Sequence, residues 1–194
     1  MKPLRIALLG MGTVGSGVYQ IITKHGKELA QRAGRPLEIR QILVRDLAKP
    51  RPVDVPDHLL TTDFSQIVAD PDIDVIVEVM GGVVPATEYL RSSILAGKHI
   101  VTANKELLAK HGQELLSLAD EQKVHFHFEA SVGGGIPVIK ALKESLVANQ
   151  VSKVMGIING TTNYILTKMA TEGTPLETAL AEAQAKGYAE ADPS

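Results

Sequence analysis

The chain has 194 residues, of which 44% are hydrophobic and 22% are charged, and its formal net charge is −2. This balance is typical of a globular protein, and the length allows one domain of ordinary size and a small addition. The charge and an aromatic content of only 4% argue against nucleic-acid and membrane partners. The lack of cysteine excludes disulfides and thiol catalysis and fits a cytoplasmic protein.

Short apolar runs alternate with segments of helical periodicity over the first 130 residues. Helices are predicted around residues 14–29, 64–68, from Pro85 onward, and around 107–118. Strands are predicted at residues 6–9, 37–44, 75–80, 99–102 and 124–128. The first run is too short to span a membrane, and no cleavage site of a signal peptide follows it. The alternation predicts an α/β fold with a doubly wound parallel sheet.

The pattern changes near residue 130. Three consecutive glycines, Gly133 to Gly135, are followed by Pro137 and predict a domain junction, with domains at 1–130 and 131–194. Beyond the junction we predict a helix at 138–146, a strand at 151–158 and a helix at 162–169. These elements are too few for a core of their own, so we expect the start of an incomplete α+β domain.

A last helix is predicted from the sequence Thr174-Pro175-Leu176-Glu177. Thr174 is expected to cap it, Pro175 to occupy its first position and Glu177 to complete a capping box. Gly187 is expected to end this helix.

A glycine-rich loop follows the first predicted strand and opens the first helix. Gly10, Gly12 and Gly15 match the G-x-G-x-x-G pattern of dinucleotide-binding turns. Gly10 would permit the tight turn, Gly12 would let a pyrophosphate approach the backbone, and Gly15 would allow the helix to pack closely on the strand. The N–H groups at the start of the helix would then face the phosphates.

The end of the second strand carries positive charge where many NAD-binding proteins carry an acid. Arg45 follows this strand, and Lys49 and Arg51 are close to it in the chain. Because a guanidinium suits a 2′-phosphate, we predict a preference for NADP over NAD. Asp46 weakens this interpretation, and Arg45 could also be a solvated loop residue.

Lys105 follows Asn104 at the predicted junction of the strand at 99–102 and the next helix. Asn104 can cap this helix, which leaves a cation in the first turn, where the helix dipole disfavours it. Lys105 is therefore a candidate for binding the nicotinamide end of the cofactor or a substrate. The alternative is an exposed helical lysine.

Several motifs together resemble the homoserine dehydrogenase family over essentially the whole chain. They begin at Gly10, Glu78, Thr102, Glu129, Asn159 and Gly187, and they include Ala103-Asn104-Lys105 and Gly133-Gly134-Gly135-Ile136-Pro137. The resemblance implies a Rossmann NAD(P)-binding domain and NAD(P)-dependent interconversion of L-homoserine and L-aspartate 4-semialdehyde. This step belongs to threonine and methionine biosynthesis, and family members are usually homodimers.

The resemblance also implies roles for individual residues. Lys105 is assigned to nicotinamide and substrate, as the retained catalytic candidate, and Glu190 to the substrate's amino group. A sodium ion is expected on the Glu129 side chain and the backbone carbonyls of Val132, Gly134 and Ile136. The family's proton-donor lysine is expected beyond Ser194. Cofactor contacts are expected at Gly10, Gly12, Thr13, Val14, Gly15, Arg45, Gly81, Lys105 and Gly187.

Other interpretations stay open at the level of sequence. His125, His127 and Glu129 alternate along one predicted strand and could bind zinc, although a strand with one solvated face explains them more simply. The chain could also be another NAD(P)-dependent dehydrogenase of amino acids or their semialdehydes. A third possibility is a nucleotide-binding module without turnover, and we expect this chain alone to bind cofactor with little turnover.

Overall fold

The computed structural model describes residues 1–157 and 159–188. The chain forms two compact units, Met1–Ser145 and Leu146–Ser194. The junction predicted at 130/131 lies inside the first unit, because the Glu129 carboxylate accepts hydrogen bonds from the backbone N–H groups of Val138, Ile139 and Lys140. A functional boundary at residue 130 stays a prediction.

The first unit contains a parallel sheet, as the alternation of strands and helices predicted. Its described strands are β1 (Leu4–Leu9), β2 (Leu37–Leu43), β3 (Leu60–Thr61), β4 (Val75–Glu78), β5 (His99–Thr102) and β6 (Phe126–His127). Their order is β3-β2-β1-β4-β5-β6, and every described pair is parallel. The chain order therefore reverses at β1, where β2 and β4 lie on either side. In doubly wound sheets, this reversal creates a crevice at the carboxyl ends of the strands.

Helices connect these strands on both faces of the sheet. They are α1 (Thr13–Lys24), α2 (Gly26–Ala33), α3 (Phe64–Ala69), α4 (Ala86–Leu95) and α5 (Lys105–Glu121). The single helix predicted over residues 14–29 is in fact two helices, because His25 leaves the helical conformation between them. The short β3 was not predicted, since two residues are too few to show a period.

Two apolar clusters form the core of the first unit, one on each face of the sheet. Ala7 and Leu9 belong to one cluster, whereas Ile6 and Leu8 belong to the other. Consecutive residues of β1 are therefore buried on opposite faces, which explains why the strand reads as a continuous apolar run. Burying each leucine stabilises the fold by about 1.5–3 kcal/mol before the entropy cost of ordering it.

The predicted strand at 151–158 is wrong over the residues that the structure describes. Residues 151–157 have no regular secondary structure, and Val154, Met155 and Ile157 are exposed. Apolar alternation reports a side-chain pattern, but a strand also needs a neighbour for its backbone hydrogen bonds. Within the described parts of the chain, no backbone hydrogen bond to these residues is formed.

The helix predicted at 138–146 is confirmed over residues 139–145, and its last five residues, Ala141–Ser145, form a π-helical turn. The turn begins directly after the N–H groups that Glu129 binds, so the start of this segment is fixed from outside. Local periodicity could not show that contact.

The second unit contains two helices, α6 (Gly160–Glu172) and α7 (Leu176–Ala185). Ile165, Ala179 and Ala183 are buried between them. Lys168 donates to Glu182 at 2.6 Å, which joins the two helices. Among the described residues, no helix is long and apolar enough to cross a membrane.

The start of α7 differs from the prediction by one residue. Pro175 is the N-cap itself, with an extended backbone, and no side chain in the described region caps the helix. The predicted cap at Thr174 is therefore wrong. The predicted end is confirmed: Gly187 has a φ of 72° and its N–H bonds the carbonyl of Gln184 at 2.9 Å.

Candidate functional site

A cleft of about 620 Å³ opens at the carboxyl ends of β1, β2 and β4. These are the three strands at the reversal of the sheet order. Four of the predicted cofactor residues line the cleft, namely Gly10, Gly12, Thr13 and Arg45. The other lining residues are Met11, Leu43, Val44, Asp46, Lys49, Pro50, Arg51, Pro52, Thr62, Val79, Met80, Pro85 and Tyr89.

The three motif glycines differ in their surroundings. Gly10 has a φ of 104°, and a Cβ there would lie 3.0 Å from the carbonyl oxygen of Val79. A Cβ on Gly15 would lie 2.2 Å from the carbonyl oxygen of Gly10, so helix and strand can approach only because the side chain is absent. A Cβ on Gly12 would meet nothing within 4 Å. The turn and packing roles are thus confirmed, and Gly12 faces open space.

The N-terminus of α1 is open to a ligand. Gly12 is its N-cap, no side chain in the described chain caps it, and its first turn contains no acidic residue. Val14 is 53% exposed on that first turn. An uncapped helix start offers free N–H groups and the positive end of the helix dipole, which together suit phosphate.

The loop after β2 contains three basic side chains, of which one is hydrogen-bonded within the loop and two are not. The Arg51 guanidinium donates to the backbone carbonyls of Asp46, Leu47 and Lys49, at 2.7, 3.1 and 3.0 Å respectively. Arg45 and Lys49 also line the cleft, and their side chains form no hydrogen bond or ion pair with the described residues. Arg51 therefore shapes the loop, while the other two cations can bind an anion.

A buried polar network lies beside the cleft, and sequence reasoning missed it. The Glu78 carboxylate is fully buried at the end of β4 and accepts hydrogen bonds from the Thr102 hydroxyl at 2.6 Å and the Met80 N–H at 2.8 Å. The Asn104 side-chain amide lies 3.5 Å from the same carboxylate and donates to the Gly82 carbonyl at 2.7 Å. The available signal was a carboxylate inside the otherwise apolar Val75-Ile76-Val77-Glu78-Val79-Met80.

Lys105 begins α5 directly after this network. Asn104 caps the helix as predicted, accepting from the Leu107 N–H at 3.1 Å. Lys105 is exposed and does not line the cleft. Gly81 lies in the turn after β4 with a φ of 73°. The structure thus places Gly81 and Lys105 at the ends of neighbouring strands, outside the lining of the cleft.

The glycine-rich segment after β6 carries the predicted sodium ligands. Hydrogen bonds from backbone N–H groups hold the pKa of the Glu129 carboxyl below its ordinary value of 4.5, and the bond from Lys140 has the largest effect. The carbonyls of Val132, Gly134 and Ile136 accept no hydrogen bond from any described residue. A carboxylate and backbone carbonyls are the oxygen ligand types that hard cations take.

The histidines near β6 form a row instead of a metal site. His125 and His127 have ring centroids 6.1 Å apart, and His99 lies 5.1 Å from His125. The described residues contain no group of three or more histidine, cysteine, aspartate or glutamate side chains that could hold a metal ion. The solvated-strand interpretation of His125 and His127 therefore agrees better with the structure than zinc.

Two predicted residues belong to the second unit. Gly187 follows α7, where its positive φ ends the helix. Glu190 lies outside the described residues.

Comparison with known proteins identifies the family. The model of the homoserine dehydrogenase NAD-binding domain matches residues 10–129, and that of the homoserine dehydrogenase domain matches residues 137–194. The chain belongs to the homoserine dehydrogenase family. It is thus related to NAD(P)-dependent oxidoreductases.

Individual homoserine dehydrogenases are similar over the whole chain. That of Bacillus subtilis is 50% identical over 100% of this chain and 45% of its own length. That of Corynebacterium glutamicum is 48% identical over 97% of this chain and 42% of its own length. The chain thus spans less than half the length of these relatives.

Solved structures agree with this assignment. A homoserine dehydrogenase from Thiobacillus denitrificans superposes with a TM-score of 0.88 at 44% identity, covering 100% of this chain and 44% of its own. A hyperthermophilic archaeal homoserine dehydrogenase in complex with NADPH gives a TM-score of 0.83 at 27% identity, covering 99% of this chain and 64% of its own.

Proposed function

We propose that this chain is the cofactor-binding part of a homoserine dehydrogenase that interconverts L-homoserine and L-aspartate 4-semialdehyde. The observation that carries the proposal is the cleft at the reversal of the sheet, where Gly12 faces open space and α1 begins without a cap. A pyrophosphate bound there would accept hydrogen bonds from the free N–H groups at the start of the helix. The reaction would serve threonine and methionine biosynthesis in the cytoplasm, in a protein that is a homodimer at full length.

NADP is the cofactor that the cleft favours over NAD. Arg45 and Lys49 are available at the end of β2, where the ribose 2′ position lies in this class of fold, and Arg51 keeps their loop in shape. The relative that contains NADPH supports the same choice.

The experiment is a fluorescence titration of NADPH and NADH with Arg45→Ala. We expect NADPH to bind about tenfold more weakly, which corresponds to about 1.4 kcal/mol, while NADH changes less than twofold. Arg32→Ala, an exposed arginine on α2, is the matched control and should change neither. Unchanged NADPH affinity in Arg45→Ala would reject a 2′-phosphate role.

In the proposed reaction, the nicotinamide supplies the hydride and the protein supplies position and charge. Lys105 would lie near the nicotinamide and substrate, where its ammonium would polarise the aldehyde oxygen. Gly81 and Gly187 would contact the cofactor, and Glu190 would bind the substrate ammonium. The assay is semialdehyde-dependent NADPH oxidation, with succinate semialdehyde, which lacks the ammonium, as the comparison. Equal and measurable rates with both aldehydes would contradict amino-acid recognition.

A nucleotide-binding module without turnover is the second candidate for this chain. It is favoured by the observation that Lys105, the catalytic candidate, is exposed and does not line the cleft. NADPH binding without semialdehyde-dependent oxidation by this chain would support it.

A sodium ion is proposed on Glu129, Val132, Gly134 and Ile136. The supporting observations are the anionic carboxylate of Glu129 and, in the glycine-rich segment that follows it in the chain, three carbonyls that accept no hydrogen bond from the described residues. We expect NaCl to raise the melting temperature above that in KCl at equal ionic strength, and Glu129→Gln to abolish this difference. The same melting temperature in both salts for the unsubstituted chain would refute the site.

A further inference from the structure

Glu78 carries a fully buried carboxyl group whose hydrogen-bond partners, among the residues the structure describes, are all uncharged. They are the Met80 N–H, the Thr102 hydroxyl and, at 3.5 Å, the Asn104 amide. Removing a polar carboxyl group from water is costly unless hydrogen bonds compensate, and an apolar side chain in such a place often serves stability as well or better. The fold alone therefore does not account for a carboxylate here.

The partners of Glu78 belong to three separate segments. Met80 begins the turn that contains Gly81 and Gly82, Thr102 ends β5, and Asn104 caps α5. The Thr102 hydroxyl donates to Glu78 and also accepts from the Asn104 N–H at 3.0 Å. One carboxylate therefore fixes the ends of two neighbouring strands relative to the start of a helix.

Asn104 extends this arrangement to the two groups beside it. Its amide donates to the Gly82 carbonyl at 2.7 Å, and its side-chain oxygen accepts from the Leu107 N–H at 3.1 Å. The turn after β4 and the first turn of α5 are thus held by a single side chain. Lys105 is the next residue in the chain and has no described partner of its own.

We propose that Glu78 is a positioning residue that acts through Thr102 and Asn104. It fixes the Gly81–Gly82 turn and the start of α5 in one geometry, so that the backbone of the turn and Lys105 meet the nicotinamide half of the cofactor together. This inference rests on the proposed function of Lys105. The adenosine half, bound between the glycine loop and Arg45, does not depend on the network.

The test compares two ligands with a matched pair of variants. Thr102→Val keeps the shape of the side chain and removes the hydroxyl that joins Glu78 to Asn104, whereas Thr102→Ser keeps the hydroxyl. The ligands are NADPH and 2′,5′-ADP, which contains only the adenosine half of the cofactor. We expect Thr102→Val to lower the affinity for NADPH about fivefold or more and the affinity for 2′,5′-ADP less than twofold. Thr102→Ser should bind both ligands with unchanged affinity.

Lys105→Ala shows whether the effect passes through the lysine. If it does, Thr102→Val adds little to the loss in NADPH affinity already caused by Lys105→Ala, because the two substitutions remove the same interaction. Full additivity would overturn the inference. Equal weakening of NADPH and 2′,5′-ADP would also overturn it, since that result indicates a general structural role, and so would normal NADPH binding by Thr102→Val.

Hydrogen exchange provides a measurement that does not depend on any ligand. In Thr102→Val, but not in Thr102→Ser, the amides of Met80 and Leu107 should exchange at least about tenfold faster while those of β1 keep their rates. If the unsubstituted chain binds neither ligand, the proposed function fails. The exchange pattern then decides the positioning network separately, and unchanged rates at both amides would refute it.

Discussion

Glycine has two different uses within the same six-residue loop. At Gly15 the missing side chain creates contact between α1 and the turn before it, since a Cβ would lie 2.2 Å from the carbonyl oxygen of Gly10. At Gly12 the missing side chain leaves space, since a Cβ would touch nothing within 4 Å. The same amino acid therefore permits close packing at one position and leaves open space at the other, where we propose that the pyrophosphate binds.

Alanine substitutions should separate these two uses. Gly15→Ala should lower the free energy of unfolding by about 2 kcal/mol or more, because the clash is with backbone that cannot rotate away. Gly12→Ala should change the free energy of unfolding by less than about 0.5 kcal/mol and should instead weaken the binding of NADPH. Urea denaturation and cofactor titration measure the two quantities. A large loss of stability in Gly12→Ala would contradict the assignment.

Individual residues were predictable where their chemistry is local. The turn glycine Gly10, the packing glycine Gly15 and the cap Asn104 follow from the pattern of neighbouring residues. The network of Glu78 was not predictable, because it joins residues 24 positions apart that meet only when β4 and β5 pair. Sequence shows the polar residue in the strand but not its partners.

At the scale of single elements, the edge of the sheet at β5 and β6 contains a pH-sensitive contact. The Nδ1 atom of His99 accepts a hydrogen bond from the His125 N–H at 3.0 Å, so His99 is neutral with this nitrogen unprotonated. Burial, and next the neighbouring His125, lower the pKa of His99 from its ordinary value of 6.5; Arg35 and His127 act in the same direction, and Asp74 opposes them.

Stability should therefore fall on the acid side. Because the folded state binds the proton more weakly than the unfolded state, the contribution is complete above pH 6.5 and is lost as the pH falls from 6.5 towards the lower folded-state pKa. His99→Asn should reduce the loss of unfolding free energy at acid pH. The control His58→Asn, at an exposed histidine, should lose as much as the unsubstituted chain. Urea denaturation between pH 5 and 8 tests this, and an identical slope in His99→Asn would contradict it.

The helix caps of the second unit give another test of the elements. Asn159 accepts from the Thr162 N–H at 2.8 Å and caps α6, whereas Thr174 caps nothing because Pro175 occupies the cap of α7. Asn159→Ala should destabilise α6 by about 1 kcal/mol, and Thr174→Ala should cost much less. The helical circular dichroism signal during thermal unfolding compares the two variants. Equal losses would show that the cap geometry is wrong.

Helices and strands were predictable where the residues of the element itself show the pattern that defines it. The apolar runs of β1 and β5 and the periodicity of α5 identify these elements within a few residues. The strand prediction at 151–157 was wrong because apolar residues do alternate there, but a strand also needs a neighbouring strand for its backbone hydrogen bonds. The break at His25 was missed because apolar spacing continues across it.

At the scale of the whole molecule, the two compact units differ greatly in core size. Apolar clusters cover both faces of the sheet in the first unit, whereas Ile165, Ala179 and Ala183 are the buried apolar residues described in the second. Because stability rises with buried apolar area, the second unit should open at a lower free energy.

Hydrogen exchange can measure this difference. Amides of β1 and β4 should exchange only through global unfolding, and amides of α6 and α7 should exchange through smaller openings that cost several kcal/mol less. Ala183→Gly should accelerate exchange in α7 and leave β1 unchanged. Uniform protection across both units would contradict two separate cores.

The loop after β2 has a consequence for changing the protein's cofactor. Arg51 ties three backbone carbonyls together, while Arg45 and Lys49 remain unattached on the same loop. The side chain that holds the loop is therefore different from the two that we propose bind the 2′-phosphate, so the proposed pair could be replaced while the loop keeps its shape. Replacing Arg45 and Lys49 with acidic or neutral residues becomes a route to NAD use, and Arg51 is the position to keep.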